Sequence, residues 1–186
     1  MIVETFYEVP ENSIITNGLV GDVHYIDSFM IRIKKPEDIT VDFLTAMIFT
    51  SNPAWMRYLV RIRDLMVKPF GLETGLIPEI KDFEKSIHFH KGQRAIFFTV
   101  SHRSENEIVM EEDDKHLLFR TSVLMEKGAN GMYNVYSTTL VQFHNLLGRA
   151  YFLPVKPFHK LIVKSFLKRS KRKLLKMEGM DRKNEY

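Results

Sequence analysis

The feature that most constrains the fold is a series of four strand-like segments followed by one long helical segment. The strand-like segments cover 94–102, 107–112, 116–126 and 132–144, and they are rich in β-branched and aromatic residues. Short stretches of turn-forming composition separate them at 103–106, 113–115 and 127–131. The pattern therefore predicts an antiparallel meander.

The helical segment that follows the meander is amphipathic and contains two prolines. We expect an opening turn over 149–152, a break at Pro154 and Pro157, and a main helix from Pro157 to about Met177, because each proline removes a backbone donor. Its apolar stripe consists of Phe158, Leu161, Ile162 and Phe166. A second, basic stripe consists of Lys156, Lys160, Lys164 and Lys168. The apolar stripe needs a sheet to cover.

The first half of the chain predicts one strand and two helices. Residues 22–33 are strand-like, and 40–49 show helical spacing with Thr40 as the N-cap. A second helix is predicted over 52–68, where Asn52 precedes Pro53 at the first helical position. Residues 72–92 are connecting structure with a short helix around 79–85.

This order of elements predicts an α+β fold of the helix-grip kind. In that fold a curved antiparallel sheet surrounds a long C-terminal helix, with two short helices between the first two strands, and a cavity commonly lies between sheet and helix. We expect one domain over 1–178, with residues 1–21 as an N-terminal extension and 179–186 as a flexible tail.

Six segments carry a family resemblance: 27–29, 55–64, 69–72, 113–120, 144–152 and 157–159. They resemble a bacterial family of uncharacterised proteins, and the resemblance spans roughly residues 22–170. That family is grouped with the START, polyketide-cyclase-like (SRPBCC) superfamily, which includes lipid and hormone carriers, aromatase/cyclases and ring-oxygenase domains. The resemblance implies the fold but no particular chemistry.

One candidate catalytic group lies at the start of the third strand of the meander. His116 and Arg120 are four residues apart on one face, and Asp114 could orient His116 as a general base while Arg120 holds an anionic oxygen. The alternative is a turn capped by Asp113 or Asp114 with a structural ion pair, and this simpler interpretation is preferred.

A second candidate is a ligand cavity lined by aromatic and apolar side chains. The predicted lining residues are Trp55, Tyr58, Phe97, Phe119, Tyr136, Phe143, Phe152, Phe158 and Ile162. Core packing explains each of them singly, and only their joint placement on inward faces favours a cavity.

Other polar groups suggest weaker hypotheses. His88 and His90 could ligate zinc with His102 or His116, but the spacing matches no recognised zinc pattern, so no metal or cofactor is predicted. Asn145, Gly148, Arg149 and His159 could receive an anionic group at the helix N-terminus. The alternative is that Gly148 permits a tight turn, and we favour it.

Composition limits the remaining function classes. The chain has no Cys, which removes disulfides and thiolate chemistry, and it shows neither a secretory signal nor an apolar run of about 20 residues, so a cytoplasmic location is expected. Residues 149–186 contain twelve Lys or Arg and three Asp or Glu, a net charge of +9 against −5 for the rest.

We favour a protein that binds a small apolar or amphipathic molecule over an enzyme of cyclase, hydrolase or dehydratase type. Docking of the basic helix on an anionic surface is the weaker alternative. Neither nucleic-acid binding nor stable membrane insertion is expected, and a homodimer is left open.

Overall fold

The computed structural model describes residues 2–34, 39–50, 88–95 and 98–184, with side chains described as far as Met177. The strands are β1 (Glu4–Phe6), β2 (Tyr25–Lys34), β3 (Arg94–Ala95), β4 (Phe98–Arg103), β5 (Glu107–Asp113), β6 (Leu117–Lys127) and β7 (Met132–Phe143). The helices are α1 (Val41–Thr50) and α2 (Leu146–Asn184), and a 3-10 turn at Ala129–Gly131 connects β6 to β7.

The seven strands form one curved antiparallel sheet in the order β1-β2-β7-β6-β5-β4-β3. β4 to β7 make consecutive hairpins, and β7 closes the meander by pairing with β2. The prediction of an α+β protein with an antiparallel sheet and a long C-terminal helix is confirmed.

One face of the sheet, here called the helix face, packs against α1 and α2. Because side chains alternate along a strand, this face receives Phe29 and Ile31 of β2 and Val123 of β6. They share one buried cluster with Leu44 of α1 and Leu167 of α2. Val123 and Met125 belong to this cluster, and Leu117 and Phe119 to a neighbouring one, so the odd-numbered residues 117–125 form the inward side of β6 as predicted.

The opposite face, here called the back face, is covered by residues 9–23, which we call the N-terminal strap. Ile15 of the strap packs on Val109 and Leu140 of the sheet. The buried Arg120 guanidinium also fixes the strap, because it donates to the carbonyl oxygens of Ile15 and Asn17, at 2.9 and 2.7 Å. The predicted N-terminal extension is therefore integral to the sheet, since it also contributes β1.

Helix α1 begins where its cap predicts. The Thr40 hydroxyl accepts from the backbone N–H of Phe43 at 3.2 Å, and the Thr40 carbonyl accepts from Leu44 at 3.1 Å. Its first turn carries Asp42, whose carboxylate accepts from the N–H of Phe89 and from Arg103. The predicted helix at 40–49 is thus confirmed.

The predicted strand at 94–102 was wrong in its continuity. Arg94 and Ala95 pair with Thr99 and Phe98, so the segment folds back on itself as a hairpin. The N–H of Gly92 extends this pairing by donating to the carbonyl of Val100 at 2.7 Å. No Gly or Pro interrupts 94–102, and the pattern therefore could not reveal the reversal.

The predicted break in the C-terminal helix was also wrong, because α2 continues through Pro154 and Pro157 to Asn184, beyond Met177. The two prolines leave the carbonyls of Ala150 and Leu153 without helical donors, and both of these residues are exposed to water. Phe152 and His159, on either side of the prolines, are buried against the sheet and support the helix. Within the described residues, no helix is long and apolar enough to span a membrane.

Candidate functional site

A buried carboxylate joins strand β2 to helix α2 on the helix face. Asp27 is fully buried, and its Oδ1 lies 3.2 Å from Nε2 of His159. The hydroxyl of Tyr25, two residues earlier on the same side of β2, donates to Oδ2 of Asp27. We call Tyr25, Asp27, Thr139 and His159 the Asp27 site.

The register of the sheet brings Thr139 to this carboxylate. Asp27 pairs with Thr139 of β7, and Thr139 pairs with Thr121 of β6, so three polar residues form a row across the middle of the helix face. The Thr121 hydroxyl donates to the carbonyl of Thr138 at 3.0 Å. The buried Thr139 hydroxyl has no hydrogen-bond partner among the residues that the structure describes.

Aromatic rings enclose the Asp27 site. Phe119 meets the His159 ring edge-on with centroids 5.7 Å apart, and Phe152 meets the Tyr25 ring at 4.8 Å. Phe98 stacks on Phe119 at 5.6 Å. The polar groups therefore lie in an apolar surrounding, where each hydrogen bond is electrostatically stronger than it would be in water.

The Tyr25 phenol stays neutral in this environment. Burial raises the pKa of Tyr25 far above its ordinary value, and the hydrogen bond to the Asp27 carboxylate together with its negative charge raises this pKa further. A neutral phenol donates one hydrogen bond, and Asp27 receives it. The amino group of Lys156 lies 4.9 Å from the Tyr25 ring centroid and adds a cation–π contact from the outer side.

The Asp27 carboxylate can orient the His159 ring so that its second nitrogen is available to a polar group of another molecule. The contact between Oδ1 of Asp27 and Nε2 of His159 fixes the orientation of the ring and leaves the other ring nitrogen, Nδ1, for a different partner. Among the described residues, Nδ1 has no hydrogen-bond partner. The site therefore offers a hydroxyl and an imidazole nitrogen that no described residue occupies.

The predicted acid–base group at the start of β6 has a structural geometry instead. Asp114 accepts from the backbone N–H groups of His116 and Leu117, at 2.6 and 3.0 Å, which is the turn that sequence analysis preferred. The His116 ring lies beside Asn145 rather than beside a carboxylate, with Nδ1 and Oδ1 3.4 Å apart.

Arg120 lies on the back face and cannot share a site with Phe119, which points to the helix face. Its guanidinium binds Glu111 at 2.6 Å in addition to the two carbonyls of the strap. The strand alternation that placed Phe119 correctly therefore excludes Arg120 from the interior.

The predicted lining residues separate into four groups. Phe119 and Phe152 contact the Asp27 site, and Phe143 touches Phe152 at 5.6 Å. Ile162 packs against the core of the helix face. Two others lie elsewhere, since Tyr136 is on the back face beside Phe6 and Phe158 is exposed on α2. Trp55, Tyr58 and Phe97 lie outside the described residues.

The sequence pattern did not identify Tyr25 and Asp27 as site residues, and His159 was expected in a different group. A signal was present in β2, because Asp27 alternates in phase with Phe29, Ile31 and Ile33 and so places a carboxylate on an apolar face. Its partner could not be found in this way, since His159 is 132 residues distant in sequence.

A concavity that is open to solvent lies where β7 leads into α2. It measures about 240 Å³ and is lined by His24, Phe143, Asn145, Leu146 and Arg149. The Asn145 side chain caps α2 by accepting from the N–H of Gly148 at 3.1 Å. This residue therefore already satisfies one of the N–H groups that an anion would need.

No group of three or more potential metal ligands occurs among the described residues. His88 and His90 contact each other with ring centroids 4.7 Å apart, and His88 lies near Asp42.

Comparison with known proteins places most of this structure within one family. No match was found among curated proteins or among solved structures. A family model described as a protein of unknown function, DUF2867, matches residues 19–166, which include all four residues of the Asp27 site. The chain therefore belongs to the DUF2867 family.

Proposed function

We propose that this protein is a helix-grip protein of the START-like kind that binds a small, largely apolar molecule between the helix face and α2. The molecule has one polar group, which the Asp27 site recognises. The strand order, in which β2 pairs with β7 beside α2, supports the helix-grip assignment.

The observation that carries the proposal is the unsatisfied polarity of the Asp27 site. Burying a hydroxyl without a partner costs free energy, about 1–3 kcal/mol, and the Thr139 hydroxyl is buried in this way. A ligand group that donates or accepts a hydrogen bond would satisfy this hydroxyl. The rings of Phe119 and Phe152 would contact its apolar part.

A purely structural role would make different demands. If Asp27 only attached α2 to β2, an apolar pair of similar volume would serve as well, because replacing buried ionic pairs by packed apolar residues is often neutral or stabilising. Measuring the ligand affinity of Asp27 variants can distinguish a recognition site from a structural link between α2 and β2. Measuring only their stability cannot.

The experiment combines native mass spectrometry with a dye. Native mass spectrometry of the freshly purified protein looks for a co-purifying small molecule, and N-phenyl-naphthylamine, an apolar dye with one N–H, reports occupancy by fluorescence. Ser137→Phe should abolish dye binding, because Ser137 lies on the helix face two residues from Thr139 and an added ring there would take the volume that a bound molecule needs.

Variants of the Asp27 site test recognition. Asp27→Asn and Thr139→Val preserve size, and we expect each to weaken dye binding by about tenfold, the effect of one lost polar interaction. Ser28→Ala is the matched control, since Ser28 is equally buried on the back face, where it bonds Thr138 at 2.9 Å. The proposal fails if the wild type binds neither dye nor co-purifying molecule, or if the Asp27 variants lose stability alone.

Asp27 and His159 also support a second candidate function, acid–base catalysis. A carboxylate that orients a histidine is the arrangement of a general base, and Asp27 holds His159 at 3.2 Å. This interpretation replaces His116 and Asp114 as the candidate pair. If the molecule found by mass spectrometry is converted on incubation, His159→Gln should slow turnover by roughly 10²–10⁴ while binding persists. A variant with unchanged turnover would exclude this role.

A further inference from the structure

Helix α2 presents an apolar surface to solvent over its first four turns. Five large apolar side chains there are between 40% and 81% exposed: Leu146, Leu147, Leu153, Phe158 and Leu161. At about 100° per residue they fall within roughly 140° of the helix circumference. The side that faces the sheet carries Phe152, His159 and Phe166, so α2 has an apolar side toward the core and a second one toward water.

Positive charge accompanies this surface. Residues 146–177 contain ten Lys or Arg and no Asp or Glu. Lys168, Arg172 and Lys176 continue the exposed side of α2 beyond Leu161, and all three are exposed. Lys156 and Lys160 border the apolar residues, where their amino groups lie 4.9 and 4.8 Å from the ring centroids of Tyr25 and Tyr7.

We propose that this exposed side of α2 docks on the surface of an anionic lipid bilayer. The apolar residues from Leu146 to Leu161 enter the boundary between head groups and acyl chains, and the basic residues from Lys168 to Lys176 contact the anionic head groups. A helix with leucine and phenylalanine on one side and lysine and arginine beside them is the type that lies in the plane of this interface. The helix does not span the bilayer.

Two other occupants fit less well. In a symmetric dimer this surface would face its own copy, and with no acidic residue in 146–177 the basic groups would repel one another. A nucleic acid would attract the basic half, but its phosphate backbone gives no apolar surface to bury Leu153 or Phe158. A bilayer with anionic lipids suits both the apolar and the basic part of this surface. Each basic residue near the bilayer adds electrostatic attraction, and each apolar residue that enters it adds hydrophobic free energy.

The test measures co-sedimentation of the full chain with vesicles of phosphatidylcholine, with and without phosphatidylserine. The wild type should bind the mixed vesicles, bind pure phosphatidylcholine much more weakly, and lose part of its affinity as salt rises. Leu153→Ser with Phe158→Ser should lower affinity for mixed vesicles by at least about tenfold, since two apolar side chains leave the interface. Lys168→Glu with Arg172→Glu should remove the preference for phosphatidylserine.

Val20→Ser is the matched control, because Val20 is 90% exposed but lies on the N-terminal strap. Its binding should equal that of the wild type, and melting curves should show that all variants fold. Equal binding to both vesicle types, or unchanged binding in the Leu153 and Phe158 variant, would overturn the proposal. So would a dimer in size-exclusion chromatography that the same variant dissociates, because a second copy would then be the occupant.

Discussion

A Cβ atom on Gly148 would lie 2.1 Å from the carbonyl oxygen of His116. The first turn of α2 thus lies so close to the backbone just before β6 that a side chain at position 148 would not fit between them. The same carbonyl accepts from the N–H of His144 at 2.9 Å, so this oxygen is fixed. The contact explains why glycine stands here.

Gly148→Ala should therefore destabilise the fold by about 2–3 kcal/mol, although alanine is the better helix former. The matched control is Gly128→Ala, whose Cβ would meet the movable side chain of Asn134 at 3.2 Å and should cost much less. Chemical denaturation measures both. Equal stability of the two variants would contradict the close contact at His116.

Glu107 should anchor the N-terminal strap. This residue is fully buried, and its two carboxylate oxygens accept from the Ser13 hydroxyl and the Ile14 N–H, each at 2.6 Å. Glu107→Ala leaves the part-buried N–H of Ile14 without this partner and should cost about 2–4 kcal/mol. Hydrogen exchange at Ile14 and Ile15 should accelerate more than exchange in β6. Glu105→Ala, at an exposed position, is the control and should leave exchange unchanged.

Phe158 and Phe166, two turns apart on α2, should differ strongly in their contribution to stability. Phe166 is 6% exposed within the core, so Phe166→Ala should cost about 3–5 kcal/mol, whereas Phe158→Ala at 40% exposure should cost less than about 1. Thermal melts of the two variants test this rotation of the helix. Similar losses would mean that Phe158 is packed.

Acid should weaken the back face through His102. Burial lowers the pKa of His102, and the positive charges of Arg120 and Lys91 lower it further, below the ordinary value of 6.5. The unfolded chain takes up this proton at a higher pH than the folded chain, so stability is lost as pH falls through 6.5 and toward the folded pKa. His102→Gln should reduce this loss between about pH 7.5 and 5.5. Denaturation curves at both pH values give the comparison, and an identical pH dependence would count against it.

Local pattern was sufficient for much of the fold. Alternation in 117–125 identified the inward side of β6, and Thr40 was identified as the N-cap of α1, because both features depend only on neighbours in sequence. Turn composition between β5, β6 and β7 likewise predicted their antiparallel pairing. The hairpin at 94–103 was not predicted, because no turn-forming composition marks the reversal and only the strand pairing reveals it.

The candidate site was predictable only in part. Phe119 and Phe152 were expected to line an interior and do contact the Asp27 site, because their faces follow from strand and helix periodicity. Arg120 and Tyr136 were assigned to that interior without a register, and the pairing of β6 with β7 puts both on the back face.

The residues alone were enough to predict β2, the antiparallel run of β5, β6 and β7, the inward side of β6 and the N-cap of α1, all of which depend on contacts within a few residues. Tertiary structure alone decided that Asp27 meets His159, that the N-terminal strap covers the back face, and that α2 continues through its prolines with Phe158 outward. These outcomes depend on packing between segments far apart in the chain. Buried Phe152 and His159 set the rotation of α2 on the sheet, and local propensity carries no information about such partners.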